Sequence, residues 1–231
     1  MTSAAQTSFV KNCEDINELQ QIFADVTEAS PGRRRRLGAV HKPAIVLLTA
    51  FWEAFCEDIA AEALQHLVTR APDAQALPLE LRKQVAKDLA GGKNTLAAWK
   101  LAGDGWRSVL VSRLENLQKA RNRKLSTPNT QQIGDFFHRT LGIGKIPDSW
   151  HWSRMNAQRS GEKPDEYLMV RHEVAHRGNA AFKVWQYDVD EYYNHVWRLV
   201  ERTADEIAGI LAGATGVSPW PGEAGEGGEG T

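Results

Sequence analysis

The chain has 231 residues, 42% of them hydrophobic and 25% charged, with a formal net charge of −1. Those figures fit a globular protein with enough chain for a real core, and they exclude a chain-wide polycation, so any nucleic-acid affinity must come from local patches. No apolar run approaches the ~20 residues of a membrane helix, Met1–Thr7 has no apolar signal core, and the two cysteines, Cys13 and Cys56, suggest neither a disulfide framework nor a zinc cluster. A reduced, cytoplasmic protein is expected.

In chain order, a first helix is predicted over Ser8–Ala29, where Phe9, Cys13, Ile16, Leu19, Phe23 and Val26 fall three or four apart. Ser30-Pro31-Gly32 ends it, and four arginines, Arg33–Arg36, follow. Pro43 suits the first position of a long helix to about Arg70. Its first half is apolar almost all round, so it should be central, yet it carries Glu53, Glu57 and Asp58. Pro78 opens a shorter helix that ends at Gly91-Gly92; Asn94 and Asp104 each suit a cap, the second for a helix through Ala120. A basic knot follows, Arg121-Asn122-Arg123-Lys124. The turn Ser126–Thr130 feeds a helix with Ile133, Phe136, Phe137 and Leu141, and a tryptophan-rich segment with Trp150 and Trp152 comes next. Pro164 opens a helix to Gly178, and Asp190–Leu211 forms the last. No strand alternation is present. Residues 1–212 read as one all-α domain; residues 213–231, with seven glycines, Glu223, Glu226 and Glu229, read as a disordered acidic tail.

Chemistry concentrates in Tyr167–Gly178, which parses two ways. His172-Glu173-Val174-Ala175-His176 fits the H-E-x-x-H pattern of zinc hydrolases, two histidines on one helix face with the glutamate as base. Against it stand the missing third ligand, with Asn179 and Phe182 where an extended motif needs Gly and His, the flanking cations Arg171 and Arg177, and the absence of a sheet. The other parse is Arg171-x-x-x-x-His176, closing a helix, with a polar residue after the arginine and Gly178 at the helix end.

The second parse resembles the R-[polar]-x-x-x-H signature of the HEPN superfamily. The run Ala44–Asp58 resembles the first core helix of the RiboL-PSP-HEPN branch, and Leu125–Thr130 with Phe136, Phe137, Leu141–Ile143 and Trp150 resembles its central segment. The likeness covers about 43–178 and, less distinctly, the final helix. It implies an all-α HEPN-like bundle with additional helices, RNA cleavage, and a toxin or phage-defence role with an antitoxin or other defence-system protein as possible partner. Many relatives have Asn or Asp where this chain has His172.

Metal-independent RNA cleavage uses the substrate's own 2′-hydroxyl as nucleophile and needs proton transfer plus a cation for the phosphate. Histidine titrates near neutrality, and arginine presents a planar fork to phosphate oxygens. His176 is therefore expected as acid/base and Arg171 as the electrostatic clamp, with His172 orienting substrate or supplying the second proton function. No cofactor or metal is called for. Arg177, Arg121, Arg123 and Lys124 are candidate RNA contacts, and Glu53 or Asp58 a candidate support that tunes the motif histidines. Arg171 and His176 point about 140° apart on an ideal helix, so a two-fold homodimer is expected to bring two motif helices to one cleft. Alanine at either position should abolish cleavage at a stability cost within ~1 kcal/mol. Two alternatives remain: a catalytically silent HEPN module binding RNA or a partner protein, and a zinc hydrolase using His172, Glu173 and His176.

Overall fold

Helix α2 (Gly38–Arg70) carries the chain's most apolar sequence and lies at the centre of the molecule. The computed structural model describes residues 2–28, 38–91, 96–120, 129–177 and 183–220; the side chains of residues 23, 26–28, 38–40 and 175–177 lie outside that description. Around α2 pack α1 (Ala4–Glu28), α4 (Gly105–Lys119), α5 (Thr130–Leu141), α6 (Ala157–Arg177) and α7 (Gln186–Thr215), while α3 (Leu79–Ala90) packs on α5. Seven α-helices and no strand are present among the described residues, the all-α bundle that the periodicity predicts.

The core follows from the apolar stripes. From α2, Ile45, Leu48, Trp52, Phe55, Ile59 and Leu64 are all buried. Trp52 stacks on Phe55 with ring centroids 5.6 Å apart, and Trp150 meets Trp52 edge-on at 5.8 Å. The indole N–H of Trp150 donates to Thr203 Oγ1 of α7 at 2.9 Å, satisfying a polar group that burial would otherwise penalise. Phe9, Cys13 and Ile16 of α1 are buried as the stripe predicts, whereas Leu19 is exposed. Asn129 and Gln132 form a reciprocal capping box at the start of α5, and Gly142 ends it in the left-handed region at φ 73°. Glycine is required there, because a Cβ would lie 2.1 Å from the backbone nitrogen of Leu81.

Three helices begin earlier than their prolines or polar signals suggest, each for a tertiary reason. Helix α2 starts at Gly38 and takes Pro43 inside, its first turns tied down by His41, whose Nδ1 lies 3.1 Å from the carbonyl of Val184. Helix α6 starts at Ala157, where the Asn156 side chain accepts the Arg159 amide at 2.8 Å. Pro164 sits inside it and leaves the Ser160 carbonyl without its usual helical donor. His195 Nε2, 2.8 Å away on α7, donates to that carbonyl instead. One residue on, Thr130 Oγ1 donates to the Gly161 carbonyl at 2.6 Å, so the proline turn is also the seam between α5 and α6. Helix α7 starts at Gln186 because Asp188 accepts the Trp185 amide at 2.8 Å.

The tail prediction needs correcting at its near end. Helix α7 continues through Gly213 to Thr215, and Gly216 turns the chain at φ 72°. Trp220 is buried, its indole N–H 3.1 Å from Glu62 Oε2. Burying an indole outweighs the flexibility of the glycines around it. Residues 221–231 lie outside the described residues, as do Arg33–Arg36 and Asn94. After Asn94 the chain forms a short 3-10 helix, Ala97–Leu101, and Asp104 occupies the N-cap position of α4 without capping it, its carboxylate 3.8 Å from Arg107 Nε instead.

Candidate active site

Helix α6 lays its inward face on α2, and this crossing brings Arg171 to Glu53. The Arg171 Nη1 donates to Glu53 Oε1 in an ion pair whose side chains are only 20% and 10% exposed. Water therefore screens the pair weakly, and the guanidinium is held by one edge of its five-donor fork. Among the described residues Glu53 is its ion-pair partner. The expected cost of Arg171→Ala, within ~1 kcal/mol, takes no account of this pair. Removing one partner of a buried pair strands the other charge, at about 3–5 kcal/mol.

A tyrosine wall backs the pair. Tyr192 of α7 is fully buried and stacks on Tyr167 of α6 with ring centroids 4.0 Å apart. The Thr49 hydroxyl donates to the Ile45 carbonyl at 2.8 Å, so at 3.1 Å the Tyr192 hydroxyl is left to donate to Thr49 Oγ1. Burial pushes the Tyr192 phenol well above its ordinary range; the nearby Glu53 adds to the rise and Arg171 opposes it. Tyr167 is raised in the same way, by burial and then by Glu191 and Asp188, and its hydroxyl donates to the Asp188 carbonyl at 3.1 Å. Both phenols stay neutral and act as rigid walls. Lys163 and Glu191 form a further ion pair between α6 and α7.

Glu53 thus reaches the motif helix at Arg171. Asp58, about 140° further round α2, lines a separate cavity with Glu62 and His66 at the start of α1, and the structure does not bring it to Arg171. Position 176 lies on the last turn of α6, which stays α-helical through Arg177, so positions 171 and 176 remain about 140° apart. The side chains of His176 and Arg177, and residues Arg121, Arg123 and Lys124, lie outside the described residues. His172 is exposed, and Met169 on the same side of the helix is 66% exposed. Positions 169, 172 and 176 share one helical face, within about 60° of one another, and that face is turned away from the one Arg171 uses on Glu53. For the H-E-x-x-H parse, no group of three or more His, Cys, Asp or Glu that could hold a metal exists among the described residues, a set that does not include the His176 side chain.

Sequence reasoning missed Tyr192, Tyr167 and Thr49. One signal was available: Thr49 lies one turn before Glu53 on α2, so the two polar residues share a face of an otherwise apolar segment. Nothing in the sequence pairs that face with Tyr192, 143 residues away from Thr49.

The described residues form an all-helical bundle with an arginine of α6 anchored to the central helix. The chain matches the model of the RiboL-PSP-HEPN family over residues 9–209 and belongs to that family. No curated protein and no solved structure matches it. No helix among the described residues is long and apolar enough to cross a membrane.

Proposed function

We propose that this chain is a metal-independent endoribonuclease that cuts RNA by attack of the substrate's 2′-hydroxyl, acting in the cytoplasm as a toxin or phage-defence effector. The observation that carries the proposal is the mostly buried Arg171–Glu53 pair, which holds one edge of a guanidinium on the helix that also carries His172 and His176. Arg171 neutralises the scissile phosphate, His176 moves the proton, and His172 orients the strand or takes the second proton step.

The functional unit is a two-fold homodimer. His172 and Met169 are exposed on α6, position 176 is within about 40° of 172 on an ideal helix, and Arg171 turns inward to Glu53. Trp185 and Tyr187, at the start of α7 beside α6, are 62% and 70% exposed. A second copy covers these apolar groups and lines one cleft with both motif helices. An antitoxin or other defence protein would act on that cleft.

The test is an RNA cleavage assay with saturating EDTA. Wild type is expected to cleave, and His176→Ala and Arg171→Lys to lose at least about a hundredfold in rate, the scale of a general acid/base contribution. Wild-type activity in His176→Ala would remove that residue from the mechanism. A second reading is favoured by the same ion pair: Arg171 as a structural strut in a silent module that binds RNA or a partner protein. It predicts RNA binding without products, at any metal concentration.

A further inference from the structure

On the face of the bundle formed by α1, α7 and the 150–156 segment lies a groove of about 630 Å³, lined in part by Trp152, Trp197, Arg198 and Arg202. Trp152 is fixed in place. It closes a tight turn with Met155 through two reciprocal backbone hydrogen bonds of 3.0 and 2.9 Å, and its ring meets the edge of the buried His195 at 5.2 Å. The turn is bought by Arg154, the one non-glycine residue with positive φ among the described residues, at 65°.

Arg198 faces this indole and Arg202 lines the same groove; neither makes an ion pair among the described residues, although Glu201 and Asp205 also line it. The Arg198 guanidinium carbon lies 5.5 Å from the centroid of the Trp152 ring. A structural stack in the same protein is tighter: Arg107 lies 4.3 Å from Trp106 and is tethered by the carbonyls of Val68 and Ala71. Arg198 has no such tether and is exposed. A flat ring inserted between Trp152 and Arg198 needs two stacking separations of about 3.4 Å, so Arg198 has only to lift by roughly 1 Å.

We propose that this groove is a stacking site for one unpaired base of single-stranded RNA, with the base between Trp152 and Arg198 and an adjoining phosphate on Arg202. The mixed charge decides for a base. Glu201 and Asp205 offset the two arginines, so the groove is a poor trap for a bare phosphate and a good one for a neutral aromatic ring beside a single anionic oxygen. About 9 Å of helix axis separates Arg198 from Tyr192, which lies beside Arg171, with the two positions about 120° apart around α7. A strand of a few nucleotides bound here is long enough to reach round to the proposed cutting site. The inference rests on the proposal that the chain acts on RNA.

The experiment is fluorescence anisotropy at low salt with the full chain and a short, labelled RNA strand, fully 2′-O-methylated so that it cannot be cut. Cleavage of the unmodified strand is followed in parallel. Trp152→Ala and Arg198→Ala should each weaken binding about tenfold and Trp152→Phe by less than about threefold, because a phenyl ring still stacks. An abasic strand of equal length should bind wild type about tenfold more weakly and be insensitive to Trp152→Ala. Wild-type affinity in a folded Trp152→Ala variant would overturn the site. If Trp152→Ala fails to fold, unchanged affinity in the surface variant Arg198→Ala overturns it equally, and a groove that takes a protein partner would give that result. Binding that depends on Trp152 without any cleavage would keep the site and remove the nuclease proposal.

Discussion

Arg171 and His176 lie five residues apart on one unbroken helix, and the arginine is tied into the protein body. Its tie is Glu53, from a helix more than a hundred residues earlier. The sequence shows Glu53 as an acidic residue in an apolar run, which marks it as unusual, but the partner is set by how α6 crosses α2 and no local pattern encodes that angle. Asp58 looks equivalent in sequence and is not, because five residues along a helix turn it to another face. If Glu53 holds the guanidinium in its working orientation, Glu53→Gln should lower kcat at least about tenfold with little change in KM, because the interaction is needed at the transition state. Arg171→Ala should lose about 3–5 kcal/mol of stability in urea denaturation, and Glu53→Gln/Arg171→Ala should recover much of it, since no charge is then stranded. Equal stability of Arg171→Ala and wild type would show the pair to be loose and would take away its positioning role.

At the scale of elements, the helices with clean apolar stripes were legible: α5, α4 and the core half of α2 lie where the three- and four-residue spacing puts them. The boundaries that were not legible belong to helices whose ends are held by distant residues. Pro164 reads as a helix start because the missing amide suits a first position. It sits inside α6 because His195, 35 residues away, donates to the carbonyl that the proline leaves unserved. The burial of that imidazole has a pH signature. Burial, with Lys163 and Arg198 adding to it and the bond to Ser160 and Glu191 opposing, lowers the His195 pKa below 6.5. The fold favours neutral imidazole, so the contribution is fully present above the unfolded value and is lost as pH falls from about 6.5 toward the folded one. His195→Gln keeps an N–H donor and does not titrate. Urea midpoints between pH 7 and pH 5 should therefore fall more steeply for wild type than for His195→Gln, and parallel slopes would show that this histidine carries no such load.

For the whole molecule, the proposed working unit is a pair of chains. Arg171 turns inward to Glu53, while His172, Met169, Trp185 and Tyr187 are exposed. The fold class was legible from composition and periodicity, and the motif from one short segment. The proposed dimer rests on the same 140° between positions 171 and 176, and a contact between two chains is not something one sequence displays. Light scattering is expected to give a dimer for wild type at micromolar concentration. Met169→Glu, which places a charge in the covered face, should shift it to monomer and reduce cleavage in step. A monomeric wild type with full activity would contradict the shared cleft.

The most direct test of the account is chemical. An RNA carrying one 2′-deoxy nucleotide at the cut site should resist cleavage at that position and be cut normally elsewhere. The products of unmodified RNA should carry a 2′,3′-cyclic phosphate and a 5′-hydroxyl, with or without chelator. Cleavage at the 2′-deoxy position, or activity that disappears with EDTA and returns with Zn²⁺, would contradict it.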